Sequence, residues 1–152
     1  MQLLSFLSIF VVLAAVLANN PPFRNNDFEY LISNTKLPYL EAYAACKRYG
    51  YTLAIEKSAE DTVKVNEALG KDGDLVDERH FLGGIRENSV VFLNKWMWLE
   101  QGEMFNYTNW YPDEELSYDC LSKHAVNSTG YQGEWTTDIC TEAHYFICQK
   151  NF

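Results

Sequence analysis

Four cysteines, Cys46, Cys120, Cys140 and Cys148, follow an uncharged apolar leader, and together these features restrict the chain more than any other. Leu3 to Leu17 is apolar except for Ser5 and Ser8, and Val16 and Ala18 stand at the small-residue positions of a cleavage site. This is the pattern of a secretory signal peptide over residues 1–18. The run is short for a spanning helix and meets Asn19-Asn20-Pro21-Pro22 with no basic stop, so no membrane anchor is expected after cleavage. Export places the cysteines in an oxidising compartment, where an even set forms disulfides. Four allow three pairings, and spacing alone does not choose among them. There is no Cys-x-x-Cys pair, and His80, His124 and His144 are scattered, which argues against a zinc site or a thiol nucleophile.

The remaining Asn19 to Phe152 has the length of one ordinary domain. The leader carries no charge, so the net charge of −9 falls on this part and opposes binding to a phosphate backbone. No nucleic-acid partner is expected.

After a leader segment at 19–27, Phe28 to Ile32 has the aromatic and β-branched content of a strand. The period then changes. Tyr39, Ala42, Tyr43, Cys46 and Tyr49 fall on one face of a helix, with Pro38 at its start and Gly50 as its stop, so Cys46 points inward. Thr52 to Ile55 reads as a buried strand. Ser58 and Asp61 then resemble a capping box that opens a second helix from Ala59 to Leu69. Asp72, Asp74 and Asp77 alternate like calcium-loop ligands, but the glycine and terminal glutamate of that pattern are misplaced. Phe81 to Ile85 is a strand whose Gly83-Gly84 pair implies close approach of another backbone. Val90-Val91-Phe92 and Trp96 to Leu99 read as further strands, and Trp96 and Trp98, two apart, share a face. Helices first and then many short strands predict an α+β domain.

The chain resembles a C-type lectin-like domain over residues 28–150, and its small secreted build is similar to the single-domain insect members. The residues that carry the resemblance are Ala42-x-x-x-Cys46-x-x-x-Gly50-x-x-Leu53-Ala54; Phe81-Leu82-Gly83-Gly84; Trp98 to Gly102 with Phe105 to Trp110; and Cys120, Trp135, Cys140 and Tyr145-Phe146-Ile147-Cys148. It implies two helices flanking short antiparallel sheets, a long-loop region, and disulfides Cys46–Cys148 and Cys120–Cys140. These would close loops of roughly 100 and 20 residues, worth about 4.7 and about 3 kcal/mol in the chain-entropy model.

Sugar-binding members hold a calcium ion with a Glu-Pro-Asn or Gln-Pro-Asp triplet, a later Glu and an Asn-Asp pair. Those positions fall here on Tyr111-Pro112-Asp113, on Tyr118, and on Thr136-Thr137, so Asp113 alone retains a ligand type. One carboxylate among neutral hydroxyls is too poor a set for a hard cation. Asp138 is no substitute, since a one-residue shift on a strand turns the side chain to the other face. The expected binding face therefore comprises Tyr111, Asp113, Glu114, Tyr118, Thr136 and Thr137, with aromatics and hydroxyls for stacking and hydrogen bonding. No cofactor is expected. The alternative is a calcium-dependent lectin whose altered site uses Asp113, Glu114, Glu115 and Asp119. Asn106-Tyr107-Thr108 and Asn127-Ser128-Thr129 are acceptor sequons. No spacing singles out a nucleophile with its base, or two opposed carboxylates, so no catalytic residue is expected. The resemblance thus implies a secreted recognition module for a glycan or an extracellular protein, with its oligomeric state open.

Overall fold

The computed structural model describes residues 23–24, 29–70, 78–91, 94–125 and 130–150. The proposed signal peptide, Phe28, the Asp72 to Asp77 stretch, Phe92 and the Asn127 sequon lie outside them. Among the described residues no helix is long and apolar enough to cross a membrane.

Strand β1 (Tyr30–Ile32) leads to helix α1 (Tyr39–Arg48), which buries Tyr39, Ala42 and Cys46 and leaves Tyr49 outside its last turn as the C-cap. Gly50 follows with φ +79°, the left-handed geometry that ends a helix. Strand β2 (Tyr51–Leu53) then precedes helix α2 (Ala59–Gly70). The Ser58 hydroxyl accepts the Asp61 N–H at 3.2 Å, as the capping pattern requires, while the Asp61 carboxylate reaches one residue further back, to the Lys57 N–H at 2.9 Å.

The strands β3 (His80–Glu87), β4 (Lys95–Trp98), β5 (Glu103–Met104), β6 (Cys120–Lys123), β7 (Trp135–Asp138) and β8 (Tyr145–Lys150) complete one connected sheet. β8 pairs with β1, β2 and β3, while β3 continues to β4 on one path and to β6 and β7 on the other. The ladders are antiparallel apart from β3 with β8, which run parallel and make the sheet mixed. Cys148 stands opposite both Leu31 and Leu53, and its disulfide to Cys46 pins α1 across the middle of the sheet. The second disulfide, Cys120–Cys140, joins the start of β6 to the turn after β7.

Gly83 and Gly84 sit where β3 and β6 slip register, between the Phe81–Ser122 and Ile85–Cys120 pairs. A Cβ on Gly83 would lie 3.1 Å from the Leu53 carbonyl oxygen, which is the close backbone approach the glycine pair implied. Trp96 and Trp98 share a face, both against Phe105 at centroid distances of 5.9 and 4.3 Å. The expected strand over Val90 and Val91 is not formed. Both residues lie in the turn beyond the Glu87–Lys95 pair and are 91 % and 72 % exposed. Their β-branched content is overridden because the chain must reverse there.

A buried polar knot fastens α2 to the far strands. The Glu56 carboxylate, wholly buried, accepts from the Lys123 ammonium, from Trp135 Nε1 at 2.8 Å and from the Thr62 hydroxyl at 2.7 Å. Burial pulls the Lys123 amine below its ordinary range, and Glu56 pulls it back up. Glu56→Ala leaves a buried ammonium without its counter-charge and should lower unfolding free energy by about 3–5 kcal/mol. Glu56→Leu combined with Lys123→Met should cost less than the single change, as read from denaturant midpoints.

His80, fully buried, donates from Nδ1 to the Glu78 carbonyl at 3.1 Å, and burial draws its pKa down from 6.5 to about 3. The unfolded chain therefore takes up a proton that the folded one refuses. Stability from this group is complete above pH 6.5 and should fall by about 1.4 kcal/mol per pH unit as pH drops from about 6 towards 4. His80→Asn keeps a donor near the Nδ1 position and should remove that slope in urea titrations run across this range.

Candidate functional site

The long loop between β5 and β6 is laid over β7 by backbone hydrogen bonds. Trp135 N–H donates to the Asn109 carbonyl at 2.7 Å and Tyr111 N–H to the Trp135 carbonyl at 2.9 Å, a parallel bridge between Trp110 and Trp135. Trp135 is fully buried, and Trp98, Phe105, Tyr107 and Trp110 all pack against its ring at 5.4–5.8 Å. This aromatic cluster fixes the root of the loop, so Trp110 and Trp135 belong to the scaffold.

From Tyr111 the chain turns through Pro112 and Asp113, and the Glu114 N–H returns to the Tyr111 carbonyl at 3.0 Å. Proline at the second position presets this turn and leaves Asp113 exposed at its tip. Glu114 does not reach outward. Its Oε1 accepts both the Thr137 N–H, at 2.9 Å, and the Thr137 hydroxyl, at 2.7 Å, so the carboxylate straps the loop to β7. The Tyr118 N–H approaches the same hydroxyl oxygen at 3.4 Å, while the Tyr118 side chain is 45 % exposed. Leu116, between them, has φ +50°, a strained geometry for a branched side chain. Its carbonyl is held by Arg86 Nη1 at 2.7 Å, and Arg86 Nε grips Asp119 at 2.7 Å.

Six residues were expected to form the face. Tyr111, Asp113 and Tyr118 do reach the surface of the loop. Thr136 and Thr137 do not, since each is 3 % exposed. Thr137 is spent on Glu114. Thr136 turns to the other side of β7, where its hydroxyl meets Ser122 at 2.8 Å. Asp138, two residues on, lies on that same side and takes the Ser122 hydroxyl and an Arg79 ion pair. The correction has a simple cause: strand alternation tells which residues share a side, but not that a loop covers the outer one. Tyr131 was missed. Its ring lies 4.8 Å from Tyr111 and stacks 3.9 Å from the His124 ring, forming an aromatic shelf beside the loop. An aromatic set between Gly130 and Gly133 was the available signal. Asn106 is exposed, so the first sequon is accessible.

Beside Asp113, the positions expected to hold a cation carry the hydroxyls of Tyr111, Tyr118, Thr136 and Thr137. On the loop side of β7 the Glu114 carboxylate is committed to Thr137, while on the other side Thr136 is committed to Ser122 and Asp138 to Arg79 and Ser122. Among the described residues no three His, Cys, Asp or Glu side chains gather in a metal-holding arrangement.

Residues 35–150 match the family model described as the lectin C-type domain. The chain belongs to this family. Similar solved structures include the mouse scavenger receptor C-type lectin carbohydrate-recognition domain, at 21 % identity and TM-score 0.63 over 88 % of this chain and 98 % of that one. Human lithostathine is similar at 19 % identity and TM-score 0.65, over 84 % and 96 %. The C-type lectin domain of murine dendritic cell inhibitory receptor 2, solved in complex with N-glycan, gives 14 % and 0.62, over 88 % and 98 %. At these identities the likeness establishes the C-type lectin fold.

The strap can be tested directly. Glu114→Ala orphans the Thr137 N–H and hydroxyl at once, which should cost about 1–3 kcal/mol. Amide exchange at Thr137 and Tyr118 should accelerate about tenfold or more, while exchange in α1 stays unchanged.

Proposed function

We propose that this C-type lectin domain is a secreted, non-catalytic recognition module that binds a glycan or an extracellular protein through the Tyr111 to Tyr118 loop and the Tyr131 shelf, without calcium. The observation that carries the reading is the double hydrogen bond from Thr137 to Glu114. Where sugar-binding relatives are expected to tie loop to strand through a cation, a carboxylate of this chain makes the tie itself. A ligand then meets aromatic faces and hydroxyls rather than an ion. Tyr111 and Tyr131, each half-buried, offer ring faces of the kind that stack on the apolar side of a sugar or on a partner's side chain. The N-glycan bound by the murine receptor domain supports a carbohydrate as one ligand class. A non-catalytic role is supported by the burial of Thr62, Ser122 and Thr137, whose hydroxyls donate to the carboxylates of Glu56, Asp138 and Glu114. The apolar leader and the two disulfides support export, and N-glycans at Asn106 and Asn127 are part of the proposal.

A glycan array run in calcium and again in chelator tests the reading. Binding should survive chelation and should weaken about tenfold in Tyr111→Ala. Binding abolished by chelator, or calcium uptake at millimolar levels by titration calorimetry, would establish the calcium-dependent alternative.

A further inference from the structure

A groove of about 610 Å³ opens on the flank of the domain, between the first turn of α1 and the Cys120–Cys140 disulfide. Its volume falls within the range of specific ligand clefts, about 300–1,000 Å³. Leu40, Ile85 and Leu99 line it with the disulfide, and most of its wall is apolar. Leu40 is 71 % exposed at its edge. Beyond Asp119 and Cys140 a second hollow carries Tyr118 and Ile139, also exposed, so the apolar surface continues past the groove. Single exposed apolar residues are ordinary, but a continuous concave set marks a docking surface.

The charges around the groove point to the partner. Among the described residues that line it, Arg86 is the one cation, and its nitrogens are spent within the protein. Nε and Nη2 both lie 2.7 Å from Asp119 Oδ1, and Nη1 lies 2.7 Å from the Leu116 carbonyl. Asp119 nevertheless keeps 44 % of its side chain in solvent, and Glu41 stands exposed on the first turn of α1. The net charge of −9 reinforces an attraction for cations and a barrier to anions.

We propose that this groove docks a peptide segment of a protein partner in which an apolar side chain stands beside a lysine or arginine. The apolar side chain fills the floor between Leu40, Ile85 and Leu99, and the basic one reaches Glu41 and Asp119. The site takes Asp119 from the end of the long loop but uses neither Tyr111 nor Tyr131, so the Tyr111→Ala variant distinguishes it from recognition at those rings.

Methyl and amide NMR titration of the full mature chain with the peptide Ac-Leu-Lys-Leu-NH2 tests the proposal. Saturable shifts are expected at the Leu40, Ile85 and Leu99 methyls and at the Glu41 amide. Glu41→Lys should weaken them about fivefold. Leu40→Asp should abolish them, and Tyr111→Ala should leave them unchanged. Leu40 and Glu41 are exposed, so an unaltered amide spectrum elsewhere will show that both variants fold. The proposal is overturned if the peptide produces no shifts, or if Ac-Leu-Glu-Leu-NH2 binds equally well. Shifts of the same methyls on dilution without peptide would assign the groove to a second copy of this chain. Stronger shifts with decanoate would assign it to an acyl chain, and either result also overturns the proposal.

Discussion

A carboxylate with no access to water organises this domain. An uncompensated charge in the interior is costly enough to unfold a marginally stable chain, so the groups that satisfy Glu56 must all arrive together. They come from α2 through Thr62, from β6 through Lys123 and from β7 through Trp135. The Thr62 hydroxyl also lies 3.1 Å from the Tyr107 hydroxyl, which extends the knot to the long loop. Apolar contact alone tolerates sliding, whereas this set of directional bonds fixes how the helical half sits on the loop-bearing half.

That fixed register lets a surface loop hold a shape. Trp135 has its Nε1 in the polar knot and four aromatic rings packed around it, so the strand carrying Thr137 is anchored where the loop lies over it. Glu114 and Arg86 then fasten the loop at two further points, one of them beside the strained backbone of Leu116. Strain of this kind persists only where its surroundings over-determine it. A loop held this way has little conformational entropy left to lose on further ordering.

The sequence disclosed whatever depends on local period. The inward Tyr39, Ala42 and Cys46 of α1, though not Tyr49 at its C-cap, the stop at Gly50, the shared face of Trp96 and Trp98 and the close approach at Gly83 all follow from spacing and side-chain size. The cysteine pairing came from family resemblance rather than from period. Val90 and Val91 misled because composition does not disclose where a hairpin must turn. Lys123 and Glu56 were illegible for a different reason. They stand 67 residues apart, and each alone reads as a surface charge. The candidate face was legible as a region. Its division into exposed Tyr111 and Tyr118 and covered Thr136 and Thr137 was not, because that depends on where the loop comes to rest.

The antiparallel pairing of β1 with β8 brings Glu29 and Lys150 together, with the Lys150 N–H donating to the Glu29 carbonyl at 2.9 Å. Pulling these two points apart would peel the short ladder one bond at a time, a weak geometry under load. The covalent bridge from Cys46 to Cys148 then intercepts the force. Tension passes directly from α1 into β8, and everything between the two cysteines, including the long loop, lies off the load path. A domain tethered by its ends would keep its long loop at rest while the tether is stretched.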